Sequence, residues 1–257
     1  VSSVTTGLSV AEIAELAGVP GPLDLVRVVA VDGPAGTGKS TVSRELARAL
    51  GWRFVDTGAT YRAATLAVVR AGIDPHDAER VLQVVGSSRI DLVTDPAAPR
   101  VVLDEQEVST LIRTDEVTRQ VSAVSSLAGV RQLLIAVQRL AMGTHGAVVE
   151  GRDIATVVAP LSGLKVYLDA RPEVRARRRA GDSSVPVADE AGTTSDRTGE
   201  IGQALLLRDS VDSQTNKLEA SEGAVHLDTS DLTLDQVVTV LLGLVHDAGL
   251  NAPEADR

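Results

Sequence analysis

Eight consecutive residues, Gly33-Pro34-Ala35-Gly36-Thr37-Gly38-Lys39-Ser40, constrain this chain more than any others. They fit the pattern G-x-x-x-x-G-K-[ST] and lie between an apolar run at 26–31 and a helix-like stretch from Ser40 to Leu50. Glycines at 33, 36 and 38 admit left-handed backbone angles and bring successive N–H groups to bear on one anion. The helix that follows turns its positive end to the same place. In such a loop Lys39 reaches the β- and γ-phosphates of a nucleoside triphosphate, while the Ser40 hydroxyl ligates Mg²⁺. An ordinary glycine-rich turn between strand and helix demands neither the Lys nor the Ser.

The rest of the chain alternates. Strand-like segments at 26–32, 52–55, 147–150, 164–169 and 224–228 are separated by helical patterns at 39–50, 59–71, 116–142, 172–180 and 233–247. Repeated βα units imply an α/β fold, a parallel sheet with helices on both faces. Two regions break the rhythm. Residues 90–108 hold two apolar runs around Asp95-Pro96-Ala97-Ala98-Pro99, which predicts an inserted antiparallel hairpin. Residues 181–200, rich in Gly, Ser, Thr, Asp and Glu, read as a mobile polar flap. Residues 1–25 stand apart as an N-terminal extension, expected to be poorly ordered. It contains one short helix in which Ser9 is the N-cap and Glu12 completes a capping box.

Composition narrows the function classes. No apolar run approaches the ~18 residues of a membrane span, and no basic-then-apolar leader pattern opens the chain. A soluble, cytoplasmic protein is the expectation, and the lack of cysteine removes disulfides and thiolate metal sites. A net charge of −10 argues against nucleic acid or anionic membrane as partners. Any positive charge needed for nucleotides must therefore be local. Aromatic residues make up only 2%, so hydrogen bonds are expected to recognise a base more than stacking does.

The acceptor side has its own candidates. Asp56-Thr57-Gly58-Ala59-Thr60-Tyr61-Arg62 follows the second strand, at the edge where open α/β sheets bind ligands. Arg62 there presents a guanidinium fork to a phosphate, although a capped helix with a solvated Arg fits the same residues. Glu150-Gly151-Arg152-Asp153 ends the apolar run Ala147-Val148-Val149. Glu150 is a candidate for the Mg²⁺ hydration shell, Arg152 for a phosphate and Asp153 for an exocyclic amine; a plain polar loop is the alternative. Arg171, Arg175 and Arg179 share one helix face, either gathered around an anion or simply solvated.

Together these residues closely resemble bacterial cytidylate kinase over about 27–245. The motifs that carry the resemblance are Gly33–Ser40, Asp56-Thr57-Gly58 with Tyr61-Arg62, Ser122-Ala123-Val124-Ser125, Val130-Arg131, Gly151-Arg152-Asp153 and Arg208-Asp209 with Asp212-Ser213. The resemblance implies a P-loop NTPase three-layer αβα domain, 26–250, with a tail at 251–257. Its core comprises 26–57, 145–170 and 217–250. A monophosphate-binding insert occupies about 58–144 and a mobile lid about 171–216. It implies transfer of the γ-phosphoryl group of ATP to CMP or dCMP by a monomer that uses Mg²⁺. ATP would be held by Gly33, Pro34, Ala35, Gly36, Thr37, Gly38, Lys39, Ser40 and Thr41, with Arg175 and Arg179 from the lid. Ser122, Arg131 and Asp153 are similar to residues that hydrogen-bond cytosine. Thr57, Arg62, Arg152 and Arg208 are similar to those that bind the acceptor phosphate, and Asp212 to one that takes the ribose. Lys39, Arg152 and Arg208 would be the catalytic charges.

The lid departs from the family pattern. Thr215 stands where an Arg two residues after Asp212-Ser213 is usual, and Lys217 is the nearest cation. A point charge on a flexible stem replaces a bidentate fork poorly. A slowed chemical step is expected, and Thr215→Arg should raise kcat by up to about a hundredfold. An unchanged kcat would refute the idea. Two other readings stay open: a kinase for another small acceptor, and a nucleotide-binding protein with weakened catalysis.

Overall fold

The computed structural model describes residues 8–17, 27–182 and 220–250, with the backbone alone for 179–182. Helix α1 (Val10–Ala17) precedes β1 (Val28–Asp32), α2 (Lys39–Leu50), β2 (Arg53–Asp56), α3 (Thr57–Arg70) and α4 (Ala78–Ser87). Then come β3 (Ile90–Val93), β4 (Arg100–Leu103) and β5 (Gln106–Glu107). A 3₁₀ turn at Leu111–Arg113 leads into α5 (Asp115–Ser126), α6 (Ala128–Met142) and β6 (Ala147–Glu150). A π-helical turn at Ile154–Val158, β7 (Leu164–Asp169), α7 (Pro172–Asp182), β8 (Val225–Asp228) and α8 (Leu234–Asp247) complete the described chain.

Five strands form a parallel sheet in the order β2-β6-β1-β7-β8. Every residue of β1 and β6 is buried, as a parallel sheet covered on both faces requires. Alternation then sorts the strand side chains into two layers. Val29, Val31 and Val148 pack with Val42 and Leu46 of α2 and Val237 and Leu241 of α8. Val28, Ala30 and Val149 pack with Ala63 of α3 and Leu134 and Val137 of α6. The expected α/β class is therefore what the chain adopts. Its registers pair Val31 with Glu150 and Asp56 with Glu150, so the carboxyl ends of β1, β2 and β6 meet at one edge.

The hairpin expected at 90–108 is present and gains a third strand. Strands β3, β4 and β5 form a separate antiparallel sheet. The long helix expected over 116–142 is two helices, α5 and α6, meeting at a 101° bend. Leu127 at the junction is extended (φ −73°, ψ 116°), and neither Gly nor Pro causes the break. Ser125 and Ser126 instead donate to the carbonyls of Ser122 and Ala123, drawing the last turn of α5 onto itself. Helix α4 had no counterpart among the expected elements.

Within the segment set apart as an extension, the Ser9–Glu12 capping box forms. The helix it opens lies against α4 and α6. Val10 and Ile13 are buried in the same cluster as Leu134 and Val137, and the Val10 N–H donates to the Ser88 carbonyl at 2.8 Å. Among the described residues no single helix is long and apolar enough to cross a membrane.

Candidate active site

The phosphate-binding loop begins where β1 ends. Gly33 has φ +147°, and a Cβ there would meet the Leu168 carbonyl oxygen of β7 at 2.1 Å, so only glycine lets the loop leave the sheet this way. Helix α2 opens at Lys39 after Gly38 (φ 91°), with no side chain capping it. Its first N–H groups are thus left to an anion. The buried Lys39 ammonium donates to the Pro34 carbonyl at 2.7 Å. From α7, buried Arg175 donates to the Ala35 carbonyl at 3.2 Å. Arg178 donates to the Thr37 carbonyl at 3.0 Å and the Thr229 carbonyl at 2.7 Å. The sequence pointed to Arg175 and Arg179. Arg178, near them in the same arginine cluster but not chosen as a site residue, lies one turn from Arg175. The Arg179 side chain is outside the described residues, as are Arg208, Asp212 and Thr215.

Opposite the loop, Asp56 caps α3 by accepting from the Ala59 N–H at 2.9 Å. This places Thr57 and Arg62 in the first two turns of α3. The Thr57 hydroxyl donates to the Glu150 carbonyl at 2.7 Å. Arg62 donates to the Ile112 carbonyl and the Thr118 hydroxyl at 3.1 and 3.0 Å. Arg152 donates to the Gly33 carbonyl at 3.3 Å, which brings it against the phosphate loop. The Arg131 guanidinium of α6 donates to the Asp153 carboxylate, and both side chains are largely buried. The bend at Leu127 is what lets Ser122 of α5 and Arg131 of α6 reach one wall.

A cleft of about 250 Å³ collects these groups. Lys39, Ser40 and Thr41 line one side, and Thr57, Arg62, Ser122, Arg131, Glu150, Arg152 and Asp153 line the rest. Asp56, Tyr61 and Arg113 line it as well and were not among the expected site residues. Arg113, from a three-residue turn with no periodicity of its own, pairs with Asp56 at 3.4 Å. Electrostatically the carboxylates are costly. Burial and then the Asp56 charge push Glu150 up to about 7, against Lys39 and a hydrogen bond from Ser40. Burial also raises Asp153, with Arg131 opposing.

For a metal, the described residues offer no cluster of three or more His, Cys, Asp or Glu. A Ser hydroxyl and a buried carboxylate, Ser40 and Glu150, on the same cleft suit a small hard cation that completes its coordination with substrate phosphates and water. The donor set therefore fits Mg²⁺ arriving with a nucleotide.

An uncapped helix behind a glycine loop, facing a cleft lined by four arginines at the carboxyl edge of a parallel sheet, is the construction of a P-loop phosphotransferase. The chain belongs to the cytidylate kinase family, whose profile matches residues 29–247. It is 48% identical over 221 residues to the cytidylate kinase of Mycobacterium avium (strain 104), covering 85% of this chain and 94% of that protein. Identity to the cytidylate kinase of Mycobacterium leprae (strain Br4923) is 46%, covering 85% of this chain and 95% of the other. For that of Streptomyces avermitilis it is 44%, with coverage of 86% and 93%. Among solved structures, a gluconokinase from Sinorhizobium meliloti 1021 aligns at TM-score 0.41 and 17% identity over 88% of this chain and 95% of that one. Similarity that slight says nothing about chemistry.

Proposed function

We propose that the protein transfers the γ-phosphoryl group of ATP to CMP or dCMP, giving CDP or dCDP and ADP. Family membership supports the reaction, and one local observation carries the choice of base: the Arg131–Asp153 pair on the cleft wall facing the phosphate loop. Cytosine offers an N4 amino donor beside N3 and O2 acceptors, which a carboxylate and a guanidinium complement. Uracil would set its O4 against Asp153, two acceptors facing each other in a buried place, at a cost of about 1–3 kcal/mol. Ser122, one residue from Val121 on the same wall, completes the base contacts in this reading.

Thr57, Arg62 and Arg152 hold the acceptor phosphate, with Arg208 joining from outside the described region. An ionised phosphate oxygen of CMP forms the new bond to the γ-phosphorus as the bond to the β-phosphate bridging oxygen breaks, and the electron pair leaves on ADP. No strong general base is required, so the protein's task is alignment and charge neutralisation. Lys39 leaves the Pro34 carbonyl for the transferring phosphates. Arg175, with Arg178 and Arg179, approaches the donor from α7, and Asp212 takes the ribose. Ser40 would hold Mg²⁺, with Glu150 beside its bound water; the cation would supply charge stabilisation at the phosphate oxygens. A cytoplasmic monomer completes the reading, on the family expectation alone.

Release of ADP from Mg-ATP in the presence of CMP, dCMP, UMP, AMP or shikimate tests it. Turnover with CMP and dCMP well above the others is expected. Preference for a different acceptor, or nucleotide binding without any turnover, overturns it.

A further inference from the structure

The strand that feeds the phosphate loop also grips the segment bearing Arg152 and Asp153. At one end the Gly151 N–H donates to the Val31 carbonyl at 3.0 Å, and Arg152 donates to the Gly33 carbonyl at 3.3 Å. At the other end stands Asp32, the last residue of β1, with only 6% of its surface exposed. One of its carboxylate oxygens accepts from the Ile154 N–H and the other from the Ala155 N–H, both at 2.8 Å. These are the first two amides of the π-helical turn Ile154–Val158, and the residue just before them is Asp153. Asp32 itself does not line the cleft.

Such an arrangement is stronger than a cap needs to be. A hydroxyl or amide oxygen satisfies one N–H at a helix start, whereas both oxygens of an ionised carboxylate hold two successive amides and fix their orientation. The cost is visible: burial and the neighbouring Asp153 charge both push Asp32 up, against the two amides and Lys39. Unwound geometry at Asp153 (φ −145°, ψ 30°) means its side-chain direction is set by what anchors the residues on either side.

We infer that Asp32 is a positioning residue for base selection: by clamping the Ile154 and Ala155 amides it aims the Asp153 carboxylate at the acceptor base, in a register fixed to the phosphate loop. The inference rests on the cytosine-reading role proposed for Asp153. Arg131 orients the same carboxylate from the side-chain end, and Asp32 does so from the main chain.

Asp32→Asn preserves shape and one acceptor oxygen but turns an NH₂ toward the second amide. The ratio of kcat/KM for CMP to that for UMP should fall by about tenfold or more, as expected for a misaimed buried hydrogen bond. KM for ATP should stay within about twofold, because the phosphate loop is held by its own carbonyls and α7. A variant with a lowered Tm but an unchanged CMP-to-UMP ratio overturns the inference, since Asp32 would then be a structural cap only. A second arm needs no variant: in the ligand-free wild type the Ile154 and Ala155 amides should exchange slowly, with little further protection from CMP. Fast exchange that only CMP slows also overturns it. Failure of the wild type to turn over CMP would defeat the underlying reading instead, while the exchange arm still reports on Asp32.

Discussion

Asp104 and Glu105 are the non-glycine residues with positive φ in the described chain, at +48° and +68°. They form the two-residue turn between β4 and β5, where Leu103 pairs with Gln106. Both central positions of such a turn require left-handed backbone, and glycine is favoured at the second. Glu105 accepts that strain with only an exposed pairing to Arg89 in return. Glu105→Gly should therefore stabilise the protein by about 1 kcal/mol, or about 2–4 °C in Tm; a thermal melt that moves down contradicts the turn geometry. At the site, Asp153→Ala strands the Arg131 guanidinium in the cleft wall. KM for CMP should rise by about tenfold or more relative to KM for ATP, and equal effects on both would count against the assignment. The motif residues were legible because a Lys and a Ser after three glycines serve no purpose in a plain turn. Arg113 and Asp32 were not, since an Arg in a short turn and an Asp ending a strand look like ordinary surface chemistry until the chain is folded.

At the scale of elements, strands β1 and β6 were readable from uninterrupted apolar runs, β7 from a run broken by Lys165, and α2 and α8 from their periodicity. The bend between α5 and α6 was hidden, because Ser125 and Ser126 are tolerated inside helices and the apolar pattern continues across Leu127. Helix α4 was hidden for a different reason: it is short, and its buried face comprises just Val81, Val85 and Gly86. Helix α1 was seen as a helix but not as part of the core. Its burial is measurable. Ile13→Ala should cost about 2–4 kcal/mol in urea unfolding, as for other buried aliphatic truncations. A loss below about 0.5 kcal/mol, the size of a typical surface change, would mean that α1 does not dock on α4 and α6.

For the molecule as a whole, acidity has a consequence with an unusual sign. Asp32, Glu150 and Asp153 are all raised by burial, Glu150 to about 7. Between the ordinary carboxylate range and about 7 the folded state binds more protons than the unfolded one, so stability falls as pH rises through that window. Fewer negative charges on a chain carrying −10 act in the same direction. Tm of the ligand-free protein should be higher at about pH 6 than at about pH 8, and Glu150→Gln should remove much of the difference. A Tm that climbs steadily across that range would contradict the burial of these groups. The parallel sheet and its binding edge were legible at this scale from βα alternation alone. The meeting of Asp56 with Glu150 and of Asp32 with Asp153 was not, because it depends on the order β2-β6-β1, which brings distant segments side by side.

The resting contacts of Lys39 and Arg175 set an entry condition. Each cation already leans on a neutral oxygen of the very loop it serves, at Pro34 and Ala35. A visitor must offer oxygens richer in electrons than a peptide group before either cation will change allegiance. Phosphoryl oxygens meet that demand and sugar hydroxyls do not, so the first act of discrimination is a competition in basicity, decided before any base is read.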